Sequence, residues 1–151
     1  GNNDCTTTLT KTSLFQVTGV MSTVVLDFTC STATPGVIIS GTLSPFQSCV
    51  GLPSAEQNFS ISASNLTTDL TITAPTGYEL TAISGSSYAS VLTITPASGS
   101  IDTTIFVRLT NSAINGASGD ITLVSGSVSK TIATGVAVVT ASPATPTASV
   151  T

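Results

Sequence analysis

The chain has 151 residues, of which only three are basic and seven acidic, and it contains no His or Trp. Ser and Thr make up about a third of the residues, whereas charged residues usually supply about a quarter of a soluble domain. Its cations are Lys11, Arg108 and Lys130, so the chain cannot form the basic patch that nucleic acid or an anionic membrane requires. No apolar run approaches the ~20 residues of a membrane-spanning helix.

The first 41 residues are predicted to be a strand-rich segment separate from the rest of the chain. Residues 14–20, 23–29 and 36–40 have strand composition. About forty residues with few aromatic side chains make a poor independent core. We therefore expect this segment to pack against the following domain or against a neighbouring subunit.

Residues 42–139 alternate apolar and polar side chains with the period of two that is typical of half-buried strands. Segments with strand character are 58–63, 69–74, 78–83, 90–95, 104–110, 120–124 and 128–138. Gly, Pro, Ser and Asn separate them, as turn chemistry requires. Seven short strands at this spacing predict an all-β antiparallel sandwich, and residues 140–151, with Pro143 and Pro146, have linker composition.

The shared phase of these strands also predicts the core. In the clearest strand, Ile105, Val107 and Leu109 point one way, and Thr104, Phe106 and Arg108 the other. The same reasoning predicts burial between two sheets for Phe59, Ile61, Leu70, Ile72, Leu92, Ile94, Ile105, Val107, Leu109, Ile121, Leu123, Ile132, Val136 and Val138.

The three cysteines, Cys5, Cys30 and Cys49, fit no zinc module because the chain has no His. They are either buried free thiols, or the cysteines of an extracellular chain with one disulfide and one cysteine left over. We favour Cys5–Cys30, which would contribute about 3 kcal/mol by loop closure. Cys49 is then free or bonded to another chain, and Cys30–Cys49 is nearly as plausible.

Nothing in the sequence predicts a catalytic residue, a cofactor or a metal site. The acidic residues are scattered along the chain, whereas a glycosidase needs two across a cleft. The many hydroxyls have no His to act as a base. Asn58 and Asn65 begin N-glycosylation sequons, although such triplets also arise by chance in a chain so rich in Ser and Thr.

Five ordered stretches within residues 40–139 are similar to a known module. They are the run 40–46 that ends Leu-Ser-Pro-Phe, Cys49 with Ser-Ala-Glu-Gln-Asn-Phe, the Ala-Pro-Thr-Gly-Tyr-Glu centre, the strand Thr-Ile-Phe-Val-Arg-Leu, and Gly-Asp-Ile-Thr-Leu-Val-Ser. In this order they resemble the repeat module of Bacteroidetes surface adhesin and filament proteins. The resemblance implies an immunoglobulin-like sandwich, export and no catalytic residue. Asp-Thr-Thr at 102–104 also resembles the O-glycosylation motif of that phylum, on Thr103.

These observations favour a non-enzymatic, extracellular protein of the bacterial cell surface, a subunit or repeat of a filament or adhesin. Strand edges normally carry charges that block pairing, yet residues 14–20, 23–29 and 128–139 carry only Asp27 and Lys130. Copies of the same chain are therefore the predicted partners, joined by strand addition or as covalent tandem repeats; surface glycans are a second class of partner. The alternative is a ligand- or carbohydrate-binding accessory module of a larger secreted enzyme or receptor, although 5% aromatic residues make an aromatic binding cleft hard to build.

Overall fold

The computed structural model of the chain describes residues 33–142. The chain divides into two compact units between Ala33 and Thr34, and the second unit contains ten strands in the described range. They are β1 (Gly36–Ser40), β2 (Gln47–Cys49), β3 (Gln57–Ser64), β4 (Leu70–Thr73), β5 (Tyr78–Thr81), β6 (Val91–Ile94), β7 (Ile101–Leu109), β8 (Asp120–Ser125), β9 (Val128–Ala133) and β10 (Val138–Thr140).

Two four-stranded antiparallel sheets pack as a sandwich. The front sheet has the order β1-β3-β7-β5 and the back sheet the order β6-β4-β8-β9. A third, two-stranded sheet pairs β10 with β2 in parallel. The fold is therefore all-β and immunoglobulin-like, as the sequence predicts.

The N-terminal boundary of the sandwich differs from the prediction. Residues 36–40, assigned from the sequence to the N-terminal segment, form β1, which pairs with β3 from Gly36 opposite Ser64 to Ser40 opposite Ser60. Val37 is buried in the core. The sandwich therefore begins with β1, well before residue 42. The predicted strands at 14–20 and 23–29, and most of the predicted tail, lie outside the described residues.

The core follows the predicted phase in most strands. Every second residue of β3 and β7 is directed inward, so that Phe59 lies opposite Ile105. Burial confirms Phe59, Ile61, Leu70, Ile72, Ile105, Val107, Leu109, Ile121 and Leu123. Leu92, Ile94 and Ile132 are only partly buried, because β6 and β9 are the edge strands of the back sheet.

The prediction for Val136 and Val138 is wrong: both are exposed, and Ala137 and Val139 are buried instead. The predicted strand 128–138 is interrupted after Ala133, where buried Thr134 bonds the backbone of Gly119 through both its N–H and its Oγ1. Gly135 then adopts a left-handed φ of 71°, which glycine adopts without steric cost. The break transfers the chain to β2 and shifts the alternation by one residue.

Two aromatic residues that the strand pattern does not place in the core fill one end of the sandwich. The rings of Phe46 and Tyr78 meet edge to face, with centroids 5.4 Å apart and an interplanar angle of 80°. Both are almost fully buried. Tyr78 Oη donates to the Ala117 carbonyl at 3.0 Å, so the phenol ties the loop 111–119 to the core.

Candidate functional site

The outer surface of the back sheet carries mostly hydroxyl and methyl groups and is called here the hydroxyl face; Asp120, where β8 begins, adds one charge to it. Because residues directly opposite on neighbouring strands share a face, the register gives two rows across all four strands. The buried residues of β4 and β8 point inward; they are Leu70, Ile72, Ile121 and Leu123. The alternate residues of these strands, and those opposite them on β6 and β9, therefore point outward. The two rows are Thr93, Thr71, Val124, Ser129 and Val91, Thr73, Thr122, Thr131. Hydroxyls and methyls can be covered by another surface without desolvating an ion.

Among residues 33–142, the edge strand β6 has backbone groups with no strand partner. The Ala74 N–H donates to the Ser90 carbonyl at 2.8 Å, and the register then makes Ile72–Leu92 and Leu70–Ile94 the hydrogen-bonded pairs. In an antiparallel ladder the alternate residues turn their groups the other way. The N–H and C=O of Val91 and Thr93 therefore face away from β4, toward the free edge. No residue of β6 is charged.

The opposite edge of the back sheet is different. Lys130 of β9 lies directly opposite Leu123, so it occupies the inward-facing row, and its edge position leaves it exposed. Inward-pointing charges on edge strands are a recognised barrier to strand pairing. Front-sheet strands approach both edges, β1 that of β9 and β5 that of β6, so the difference between the edges is the charge of Lys130. The β9 edge is therefore guarded, whereas the β6 edge is not.

A polar cluster fixes the connection that leads into β6. The Glu56 carboxylate accepts hydrogen bonds from the Ser84 and Tyr88 hydroxyls and from the Gly85 N–H. The Ser84 bond, followed by the Tyr88 bond, lowers the pKa of Glu56. Burial, followed by the bond to Glu56, raises the pKa of Tyr88. Both groups are thus held in the protonation states that the hydrogen bonds need at neutral pH.

Arg108 joins this cluster to the front sheet. Its Nε donates to Glu79 Oε1 at 2.7 Å, and its guanidinium lies 3.6 Å from the centroid of the Tyr88 ring. Next along the chain, Ala89 exchanges two backbone hydrogen bonds with Leu80, of 2.7 and 2.9 Å. The arrangement positions a loop: the cluster and this bridge anchor the chain where it crosses from β5 to β6.

The structure does not bring the sequence-predicted site residues together. Cys49 ends β2 with a free, partly buried thiol, 4.0 Å from Thr140 Oγ1, while Cys5 and Cys30 lie outside the described residues. Asn58 is exposed on β3, and Asn65 is exposed in a left-handed turn. Thr103 lies opposite Ile61 on the inward-facing row of β7, so its hydroxyl is the least suited of the three for a glycan.

A depression of about 360 Å³ lies between residues 76–77 and 112–118, lined by small and hydroxyl side chains and the exposed Ile114. Within residues 33–142 there is no group of three His, Cys, Asp or Glu placed to hold a metal ion. No helix in that range has the length and apolarity to cross a membrane. Comparison with protein-family descriptions, curated proteins and solved structures finds no match to this chain.

Proposed function

We propose that this chain is a non-enzymatic structural protein of the bacterial cell surface, a subunit or repeat of an extracellular filament or adhesin that binds copies of itself through strand edges. The observation that carries the proposal is the uncharged edge strand β6 beside the hydroxyl face. Glu56, Glu79 and Arg108 lie in the cluster on the front-sheet side, and the two outer rows that cross all four strands of the back sheet contain only Thr, Ser and Val.

Such a surface supports association for two reasons. Main-chain hydrogen bonds along an edge strand supply strength, and the alternating side chains supply register. In addition, covering Thr, Ser and Val costs far less desolvation free energy than covering ions, which are costly to bury unless paired. A contact that joins two different surfaces repeats without closing and generates a filament.

Negative-stain microscopy and light scattering of the purified full chain test the proposal. We expect filaments or a concentration-dependent series of oligomers. The informative truncation removes residues 1–32, because a deletion of 1–41 would also remove β1. We expect it to melt cooperatively and to remain monomeric. A full-length chain that is monodisperse at all concentrations would contradict self-assembly, and specific binding of that monomer to surface glycans would support the accessory-module alternative.

A further inference from the structure

The backbone groups at the edge of β6 could pair with one more strand of defined character. Val91 and Thr93 direct their backbone N–H and C=O groups outward. Leu92 and Ile94, on the inner row, are only partly covered although they pack against the core. The other row of β6 continues the hydroxyl face. A strand that fits here needs apolar residues on one side and Thr-like residues on the other.

Residues 23–29, Thr-Val-Val-Leu-Asp-Phe-Thr, have this alternation. Val24, Leu26 and Phe28 share one side and would extend the inner row beside Leu92 and Ile94. The other side carries Thr23, Val25, Asp27 and Thr29. The charge of Asp27 would stay in solvent on that side. Residues 14–20, by contrast, have large apolar side chains on both sides of the strand, so one apolar side would be left exposed in either register.

The reach of the chain favours a strand from a neighbouring copy. Asn65 Nδ2 donates to the Thr34 carbonyl at 3.2 Å, which places the start of the sandwich beside β1 and β3, and β1 lies on the β9 side. Strands are ~4.8 Å apart and packed sheets ~10 Å apart, so the position beyond β6 is about 20 Å away. The five residues from Thr29 to Thr34 span at most ~17 Å.

We infer that residues 23–29 of one copy add to the free edge of β6 of the next copy as a fifth strand of its back sheet. The inference rests on the proposed self-assembly and specifies its two surfaces, donor and acceptor. Two variants of the full chain separate them. Thr93→Pro removes an N–H that has no backbone partner among residues 33–142, and proline is tolerated at such edge positions. Leu26→Asp places a charge on the inner row of the donor.

We expect each variant alone to lose assembly and to remain monomeric in analytical ultracentrifugation. A 1:1 mixture should give a heterodimer and stop there, because the proline variant retains its donor and the aspartate variant retains its acceptor. Val25→Asp, on the outer row, is the matched control for Leu26→Asp and should assemble.

The outcomes are distinct. A wild-type chain that stays monomeric overturns both the proposed function and this inference. Wild-type assembly that persists in the Thr93 and Leu26 variants overturns the inference alone and leaves self-assembly standing through another surface. A Thr93→Pro variant that is monomeric but forms no heterodimer with Leu26→Asp also overturns the inference, since the donor is then not residues 23–29. Thermal melting checks that every variant is folded.

Discussion

Val138 and Val139 are adjacent valines in β10 with opposite environments, and they allow a sharp test of the chain's path after Gly135. Val139 has 8% of its surface exposed and Val138 has 44%. Each Val→Ala change deletes two methyl groups, worth about 0.8 kcal/mol each when buried, with a cavity term added. We expect Val139→Ala to lower the free energy of unfolding by about 1.5–2.5 kcal/mol, whereas Val138→Ala should stay within about 0.5 kcal/mol of wild type.

Urea denaturation at constant pH measures this difference through the midpoint, provided that the slope of the transition is unchanged. Calorimetry supplies a second estimate, since 1 kcal/mol shifts the melting temperature of a domain this size by about 4 °C. The two variants have the same composition, so effects on the unfolded chain largely cancel. Equal destabilisation, or a larger effect at Val138, would refute the interruption at Thr134–Gly135 and restore the continuous strand that the alternation predicts.

Three further expectations concern the polar contacts. Tyr78→Phe should cost about 1 kcal/mol, because the Ala117 carbonyl keeps its bond from the Ala137 N–H and is not left unpaired; a loss above about 3 kcal/mol would point to a different role for the phenol. Glu56 has a lowered pKa in the folded chain, so its stabilising bonds are present above its ordinary pKa and are lost as the pH falls through the lowered value. The hydrogen-exchange protection factors of residues 84–88, corrected for the intrinsic rate at each pH, should therefore fall in acid, and Glu56→Gln should have low protection at neutral pH without this dependence. Alkylation of the unreduced native chain should label Cys49 alone, because Cys5 and Cys30 are predicted to be bonded; mass spectrometry that finds three labelled thiols would reject the disulfide.

The sandwich could be predicted because each of its central strands buries one side. Burial of one side makes apolar and polar residues alternate along the strand, and this alternation is visible in the sequence. Phe59, Ile61 and the Ile105–Val107–Leu109 series are of this kind. The edge strands are less determined, since one neighbour is missing: Leu92, Ile94 and Ile132 carry core-type side chains but are only partly covered. Alternation alone does not distinguish a central strand from an edge strand.

The sequence misplaces Val136 and Val138 because one glycine changes the phase. Gly135 interrupts an apolar run, and a glycine within a strand pattern is the available signal for a bulge or a change of direction. The cluster of Glu56, Tyr88 and Arg108 could not be predicted in the same way. The alternation in β7 places Arg108 on the outer face, but its pairing with Glu79 depends on the β5–β7 register. The path of residues 82–89 depends in turn on their hydrogen bonds to Glu56.

The two edges of the back sheet determine what kind of assembly strand addition could give. If both edges were bare, β6 of one copy could pair with β6 or β9 of another, and closed dimers or stacked sheets would compete with a filament. Lys130 opposes pairing at β9, because a strand added there would bury its charge. The Glu56 cluster and the Leu80–Ala89 bridge hold the start of β6 in place, so the acceptor loses little conformational entropy on binding. One fixed acceptor and one donor of different sequence form a heterologous contact, and such a contact propagates in a single direction.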